Sequence, residues 1–262
     1  MNDFNGKQAL ITGGACGIGR CIAEYFLKNN ARVTIIDINE PVGKALSLRY
    51  DNLEFFCGDI AEKSTLEKLS QALKTPVDFL INNACIHRGG LLTGGSWDDF
   101  EYVQRVGVFA PYYLTKLLLS HSLLAGNASI INIASTRGFQ SQADTESYSA
   151  AKGGILALTH AMSISLSGKA RVNAISPGWI DTSMYHGAGE APTHSSEDEG
   201  QHPAGRVGKP QDIAEMVMFL CDNERAGFIT GENIVIDGGM SKLMIYHGDG
   251  GWKFDGALPA TP

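Results

Sequence analysis

The sequence predicts an α/β fold: one doubly wound parallel sheet of seven strands with helices on both faces. Three observations carry that expectation. Short apolar runs at residues 8–12, 32–36, 53–57, 77–81, 128–133, 171–175 and 233–236 alternate with helix-like stretches. The first run leads straight into a glycine-rich turn and then a helix. No repeat or linker divides the chain before about residue 239. Strands alternating with helices pair in parallel through right-handed crossovers. The expected organisation is a single dinucleotide-binding catalytic domain over residues 1–239, with a tail at 240–262.

Composition narrows the function classes. The chain has 262 residues, 44% of them hydrophobic and 19% charged, which suits a globular protein with a sizeable core. Its net charge of -7 argues against nucleic acid or an anionic membrane as a partner. Five scattered cysteines, with no Cys/His group at metal-ligand spacing, predict reduced thiols, no metal and a cytoplasmic setting. The first residues carry no apolar stretch after a basic start, so no signal peptide is expected.

In chain order, Gln8-Ala9-Leu10-Ile11-Thr12 runs into Gly13-Gly14-Ala15-Cys16-Gly17-Ile18-Gly19, followed by a helix-like stretch at 20–29. That order places unpaired backbone N–H groups and the positive helix end where a phosphate can sit. The glycines let the backbone approach a pyrophosphate with no Cβ in the way. The run at 32–36 ends in Asp37, about 20 residues past the turn, where a carboxylate accepts hydrogen bonds from the adenine ribose and repels a 2′-phosphate. Ile38 and Asn39 follow, and Cys16 rather than a basic residue sits in the turn. NAD is therefore expected over NADP, although a strand-end Asp also caps ordinary turns.

Next come strand 53–57, Gly58-Asp59-Ile60, a helix at 61–73 and strand 77–81, ending in Asn82-Asn83-Ala84. Asp59, like Asp37, falls at a strand's C-terminal end, where open α/β sheets bind ligands. Residues 97–124 read as helical, with Pro111 expected to kink or break the helix. Strand 128–133 leads to Ser135, and a helix is expected at 148–167. On that helix Tyr148 and Lys152, four apart, share a face. A free phenol titrates near pH ~10; an adjacent ammonium stabilises the phenolate and lowers that pKa. Ser135 would then hydrogen-bond a substrate oxygen while Tyr148 exchanges its proton. Alone, Tyr-x-x-x-Lys occurs by chance too often to matter, and one buried Tyr with one solvated Lys is the better account of the isolated pair.

Strand 171–175 leads to Ser176-Pro177-Gly178-Trp179-Ile180-Asp181-Thr182. Residues 183–206 lose all apolar period and are expected to form a substrate lid, with His186, His194 and His202 as solvated loop histidines rather than metal ligands. A helix at 210–221 opens on Pro210, and strand 233–236 closes on Asp237-Gly238-Gly239. The tail carries Leu243, Met244, Ile245, Tyr246, Trp252 and Phe254 and is expected to dock.

Together, Thr12-Gly13-x-x-x-Gly17-x-Gly19, Asp59, Asn82-Asn83-Ala84, Ser135, Tyr148-x-x-x-Lys152, Asn173, Pro177-Gly178 and Asp237-Gly238-Gly239 resemble the short-chain dehydrogenase/reductase family over residues 7–239. The resemblance implies a Rossmann-like fold and an oxidoreductase acting on a secondary alcohol or ketone. It makes Tyr148 the general acid/base, Lys152 the group that lowers its pKa and holds the nicotinamide ribose, and Ser135 the residue that orients the substrate oxygen. Asn83 and Ala84 would flank the adenosine and ribose, Asp59 and Ile60 the adenine, and Ile180 and Thr182 the nicotinamide carboxamide. Pro177 and Gly178 complete the cofactor set. Helices near 100–124 and 148–167 resemble those that pair between subunits, implying a homodimer or homotetramer.

Two positions depart from the family pattern. Cys85 stands where Gly is usual, and Gly107 where the family has a catalytic Asn that holds a water linking the Lys to solvent. Gly107 keeps open a non-catalytic NAD-binding sensor or assembly protein of the same fold. Dehydration or epimerisation with tightly held NAD is a third reading. A polar cluster, Gln140, Gln142 and Asp144, lies between Ser135 and Tyr148, either facing substrate or forming a solvated loop.

Overall fold

A computed structural model of the chain describes residues 4–186, 191 and 194–244. Residues 245–262 of the tail and part of the lid lie outside the described residues, so the expected docking of the tail does too. The seven strands are β1 (Gln8–Thr12), β2 (Arg32–Asp37), β3 (Leu53–Cys57), β4 (Val77–Asn82), β5 (Leu124–Ile133), β6 (Ala170–Pro177) and β7 (Asn233–Ile236). They form one sheet in the order β3-β2-β1-β4-β5-β6-β7, every pair parallel. Parallel strands covered on both faces bury both sets of alternating side chains, so they read as continuous apolar runs. In β1, Ala9 and Ile11 face one core and Leu10 the other; in β4, Phe79 and Ile81 oppose Leu80 in the same way.

The first core lies beneath α1 (Gly17–Lys28), α2 (Glu40–Arg49) and α8 (Pro210–Cys221), through Ile22, Phe26, Leu46, Ile213 and Val217. The second lies beneath α3 (Lys63–Ala72), α5 (Ala110–Ser120) and α6 (Glu146–Ser165), through Leu66, Leu69, Leu114, Leu118 and Met162. The shorter α4 (Trp97–Gln104), α7 (Ser196–Gly200) and α9 (Asn223–Ala226) complete the set.

The helix expected over 97–124 is corrected. α4 passes through a π-helical turn, Arg105–Phe109, into α5, and the strand has begun by Leu124. Pro111 does not break the helix. It sits in the first turn of α5, where a missing N–H costs little. The irregularity falls instead around Gly107, and a Cβ there would lie 2.8 Å from the Ala151 Cβ. Gly107 thus lets α6 pack closely at Ala151, the residue beside Lys152. No period in the sequence announces α2, because only Gly43 and Leu46 of its residues are buried.

Candidate functional site

Between β1 and β4 the chain reverses its direction of travel across the sheet, and a crevice opens beyond the strand ends. A cavity of about 360 Å³ there is lined by Gly13, Gly17 and Ile18 from the glycine-rich turn, Asp37 from β2, Asp59 and Ile60 beyond β3, and Asn83 and Ala84 beyond β4. A second cavity of about 1000 Å³ holds Ser135, Tyr148, Lys152, Pro177, Gly178 and Ile180, and it shares Ile18, Asn83 and Cys85 with the first. The two are therefore contiguous. Gly19 lines neither. A Cβ on it would collide with the Gly13 carbonyl oxygen and approach Asn83 Nδ2 to 2.5 Å, so Gly19 lets α1 pack under the turn.

The first cavity fits the adenosine and phosphate end of a dinucleotide. Helix α1 begins at Gly17 with no side-chain cap and no acidic residue in its first turn, leaving its N-terminal N–H groups available to an anion. Gly13 and Gly17 both have positive φ, at 64° and 58°. A Cβ at Gly13 would come within 2.9 Å of the Ala84 Cα, so the two strand ends touch only because it is absent. Burial and then the neighbouring Asp37 carboxylate push the Cys16 thiol up, so it faces this site as a neutral S–H. Asp37 accepts from the backbone N–H of Ala15 at 3.0 Å and of Asn39 at 2.9 Å. These bonds fix the carboxylate at the cavity wall with lone pairs to spare. Asn83 Nδ2 donates to the Thr12 and Gly13 carbonyls, both at 3.0 Å, while Thr12 Oγ1 accepts from the N–H groups of Asn83 and Ala84. Asn83 is thus a clasp between strand ends.

Asp59 has a partner that no sequence pattern reveals. Tyr102 on α4 donates its hydroxyl to Asp59 Oδ2 at 2.8 Å, and the Arg88 guanidinium stacks 3.9 Å from the Tyr102 ring centre. Burial and then the hydrogen bond to Asp59 push the Tyr102 phenol up, keeping it a donor. Only the fold brings α4 beside the segment that follows β3, so nothing local announces this pair.

In the second cavity Lys152 is 4% exposed and donates Nζ to the Ile133 carbonyl at 2.6 Å; the same Nζ lies 5.4 Å from the Tyr148 ring centre. Ser135 lies two residues beyond the end of β5, its Oγ accepting from the Arg137 N–H at 3.2 Å. The start of α6 is pinned by the loop after β4. Leu92 N–H donates to Asp144 Oδ1 at 2.6 Å, the His87 ring bonds the Asp144 carbonyl at 2.8 Å, and Ser147 Oγ donates to the Arg88 carbonyl at 3.1 Å. Asp144 is therefore a loop anchor with φ of 60°, whereas Gln140 and Gln142 line the cavity. Beneath lies a buried ladder: Asn82 Nδ2 to Asn132 Oδ1 at 2.8 Å, then Asn132 Nδ2 to Thr159 Oγ1 at 2.9 Å. Asn173 likewise ties β6 to Ile229 and Glu232.

Thr182 lines the first cavity beside Gly17, its Oγ1 3.0 Å from His186 Nε2. Two expectations about the lid histidines are corrected. His202 is buried, with Nδ1 3.0 Å from the Asp198 carbonyl and its ring beside Trp179, and His194 sits between Asp181 (3.3 Å) and Glu199 (3.4 Å). Neither is a solvated loop histidine, because α7 folds back onto the loop after β6. His186 alone of the three is exposed. No group of three or more His, Cys, Asp or Glu that could hold a metal occurs among the described residues. Asp198 and Gln201 of the lid, with Met240, close the outer wall of the second cavity.

Comparison with known proteins agrees with this geometry. A family model described as Enoyl-(Acyl carrier protein) reductase matches residues 13–241. An uncharacterized oxidoreductase of Thermotoga maritima is 42% identical over 253 residues, covering 93% of this chain and 99% of that protein. An apo SCOR enzyme from Clostridium thermocellum superposes with a TM-score of 0.85 at 43% identity, over 95% of this chain and 99% of that one. A structure from Brucella melitensis described as a short-chain dehydrogenase/reductase, glucose/ribitol dehydrogenase, gives a TM-score of 0.82 at 28% identity, over 92% and 99% of the two chains.

Proposed function

The chain belongs to the short-chain dehydrogenase/reductase family of nicotinamide-dependent oxidoreductases, and on that footing we propose that it is an NAD-dependent enzyme acting on a secondary alcohol or ketone. The observation that carries the proposal is that Ser135, Tyr148 and Lys152 line one cavity, which runs into the nucleotide crevice through Ile18 and Asn83. In the oxidative direction bound NAD supplies the acceptor for the hydride leaving the carbinol carbon. Ser135 Oγ holds the substrate oxygen, and Tyr148 takes the hydroxyl proton as the carbonyl forms. The buried Lys152, fixed by the Ile133 carbonyl, holds its Nζ beside the Tyr148 ring, where it can also bond the nicotinamide ribose.

Asp37 supports NAD over NADP. It is a fixed carboxylate in the nucleotide cavity, and no Lys or Arg among the described residues lines that cavity. The proposed unit is a single catalytic domain at 1–239 with a lid at about 183–206. A homodimer or homotetramer is supported by the exposed Phe109 and Tyr112 near α5 and Ile164 on α6. No helix among the described residues is long and apolar enough to cross a membrane, and a cytoplasmic protein with a small-molecule substrate and no nucleic-acid partner accords with the acidic composition.

The test is a screen of secondary alcohols and ketones followed by NADH absorbance, with NAD and NADP side by side, on wild type and Tyr148→Phe. The expected result is turnover that Tyr148→Phe abolishes while NAD binding persists. Wild-type turnover in that variant would sink the acid/base role. Cofactor binding with silence across the whole screen would favour the sensor reading that Gly107 keeps open.

A further inference from the structure

Given an alcohol or ketone oxidoreductase, the premise on which this inference rests, the second cavity also bears on which alcohol the protein takes. Its wall is uneven. Ile18, Ile133 and Met240 give an apolar side, while Arg137, Gln140 and Gln142 lie just beyond Ser135 in the chain. Arg137 is half-buried, its guanidinium carbon 5.8 Å from the Tyr148 ring centre. It donates to the Gln142 side-chain oxygen, and no acidic side chain among the described residues pairs with it. A guanidinium carries five donors in a planar fork; one amide oxygen leaves most of the fork free for a bidentate acceptor. Partly desolvated cations are costly without a counter-charge, and this cation stands at a substrate wall rather than beside a carboxylate of the fold.

The other charged group on the outer wall is Asp198. Its Oδ2 already accepts from the Ser195 N–H at 2.7 Å and from Ser195 Oγ at 3.1 Å, so it serves as a lid-helix cap. One guanidinium with neutral amides and an opposing acid suits a singly charged carboxylate better than a phosphate, which calls for more positive charge.

We infer that the substrate is a short hydroxy acid or the corresponding oxo acid, with its carboxylate held by Arg137 and its carbinol oxygen at Ser135 and Tyr148. The bond changes are those of alcohol oxidation: the carbinol carbon loses hydride to NAD and the hydroxyl loses its proton to Tyr148. Arg137 exchanges neither. It selects and orients. The amides of Gln140 and Gln142 face the same space and add hydrogen bonds to substrate hydroxyls.

The test compares NAD-linked turnover of a panel of short 2-, 3- and 4-hydroxy carboxylates with that of their methyl esters, in wild type, Arg137→Gln and Arg137→Lys. Wild type is expected to prefer at least one acid to its ester. Arg137→Gln is expected to lower kcat/KM for that acid on the order of 10- to 100-fold, mainly through KM, with a much smaller effect on the ester, and Arg137→Lys to recover part of the loss. Thermal melting and NAD affinity of each variant show that it is folded. Equal turnover of acid and ester, or an equal loss on both in Arg137→Gln, overturns the inference and leaves the oxidoreductase reading standing. Should no panel member react, calorimetry of the same carboxylates on the NAD-loaded protein decides: binding weakened by Arg137→Gln supports the inference, and absent or unchanged binding overturns it. Undiminished turnover in Tyr148→Phe would instead strike the underlying reading.

Discussion

The two cavities stand on the same strand ends but are made of different material. The nucleotide crevice is built from backbone and from side chains that bond backbone: Asn83 to Thr12 and Gly13, Asp37 to Ala15 and Asn39, and Gly19 with no room for a Cβ. In the second cavity only the inner wall is built that way, where Lys152 bonds the Ile133 carbonyl. Its outer wall consists of exposed or half-buried side chains on loops, Arg137, Gln140, Gln142, Trp179 and Gln201. The crevice cannot change without disturbing the sheet, whereas the outer wall can change with little effect on the core. A common cofactor site and a private substrate site follow from that division.

Four experiments press on this contrast, in descending order of expected effect. Lys152→Met, which removes the charge from the inner wall, should cut turnover by about 10²- to 10⁴-fold while NAD affinity, read by calorimetry, falls far less. Equal losses in both would show that the two cavities are not separable. Gly19→Ala should destabilise the fold by about 1–3 kcal/mol, because the added methyl meets the Gly13 carbonyl and α1 must shift. Urea unfolding and NAD binding should worsen together. Asp37→Ser should weaken NAD binding on the order of 10-fold and narrow the preference over NADP, with little change in melting temperature. A variant that still rejects NADP as strongly as wild type would remove Asp37 from the selectivity argument.

The smallest effect belongs to the junction of lid and α8, where Arg206 makes two 2.7 Å bonds to the Asp212 carboxylate. The side-chain hydrogen bond from Arg206, against a smaller opposing effect of burial, holds the Asp212 carboxyl below the usual range. A depressed folded value adds stability above the ordinary carboxylate range, and that stability is lost as pH falls through the folded value. The pair is half in solvent, so Asp212→Asn should cost no more than about 1 kcal/mol at neutral pH. The gap between wild-type and variant melting curves should close in acid; a gap that stays constant would assign the effect to something other than the ion pair.

Legibility in the sequence follows the same division. Both faces of the central sheet are buried, so β1, β2 and β4 print continuous apolar runs, and the glycine-rich turn, Asp37 and the Tyr148/Lys152 pair are local patterns. What stays hidden needs contacts between distant segments. Tyr102 reaches Asp59 from 43 residues away, and the Asn82–Asn132–Thr159 ladder crosses two strands and a helix. The burial of His202 depends on a five-residue helix folding back beside Trp179. Nothing singles out Arg137 in one dimension, where it is merely a polar residue two positions after Ser135.

Periodicity and local stereochemistry by themselves determined the order of the strands, the phosphate-ready turn and the spacing of phenol and ammonium, since each depends on residues a few positions apart. Only the tertiary structure decided that the strand-end crevice and the Ser135 cavity join through Ile18 and Asn83. It alone turned Thr182 toward Gly17 and set an Arg with no acidic partner among the described residues on the substrate wall. Those outcomes depend on how loops from separate strands pack beyond the sheet, and such packing leaves no period in the chain.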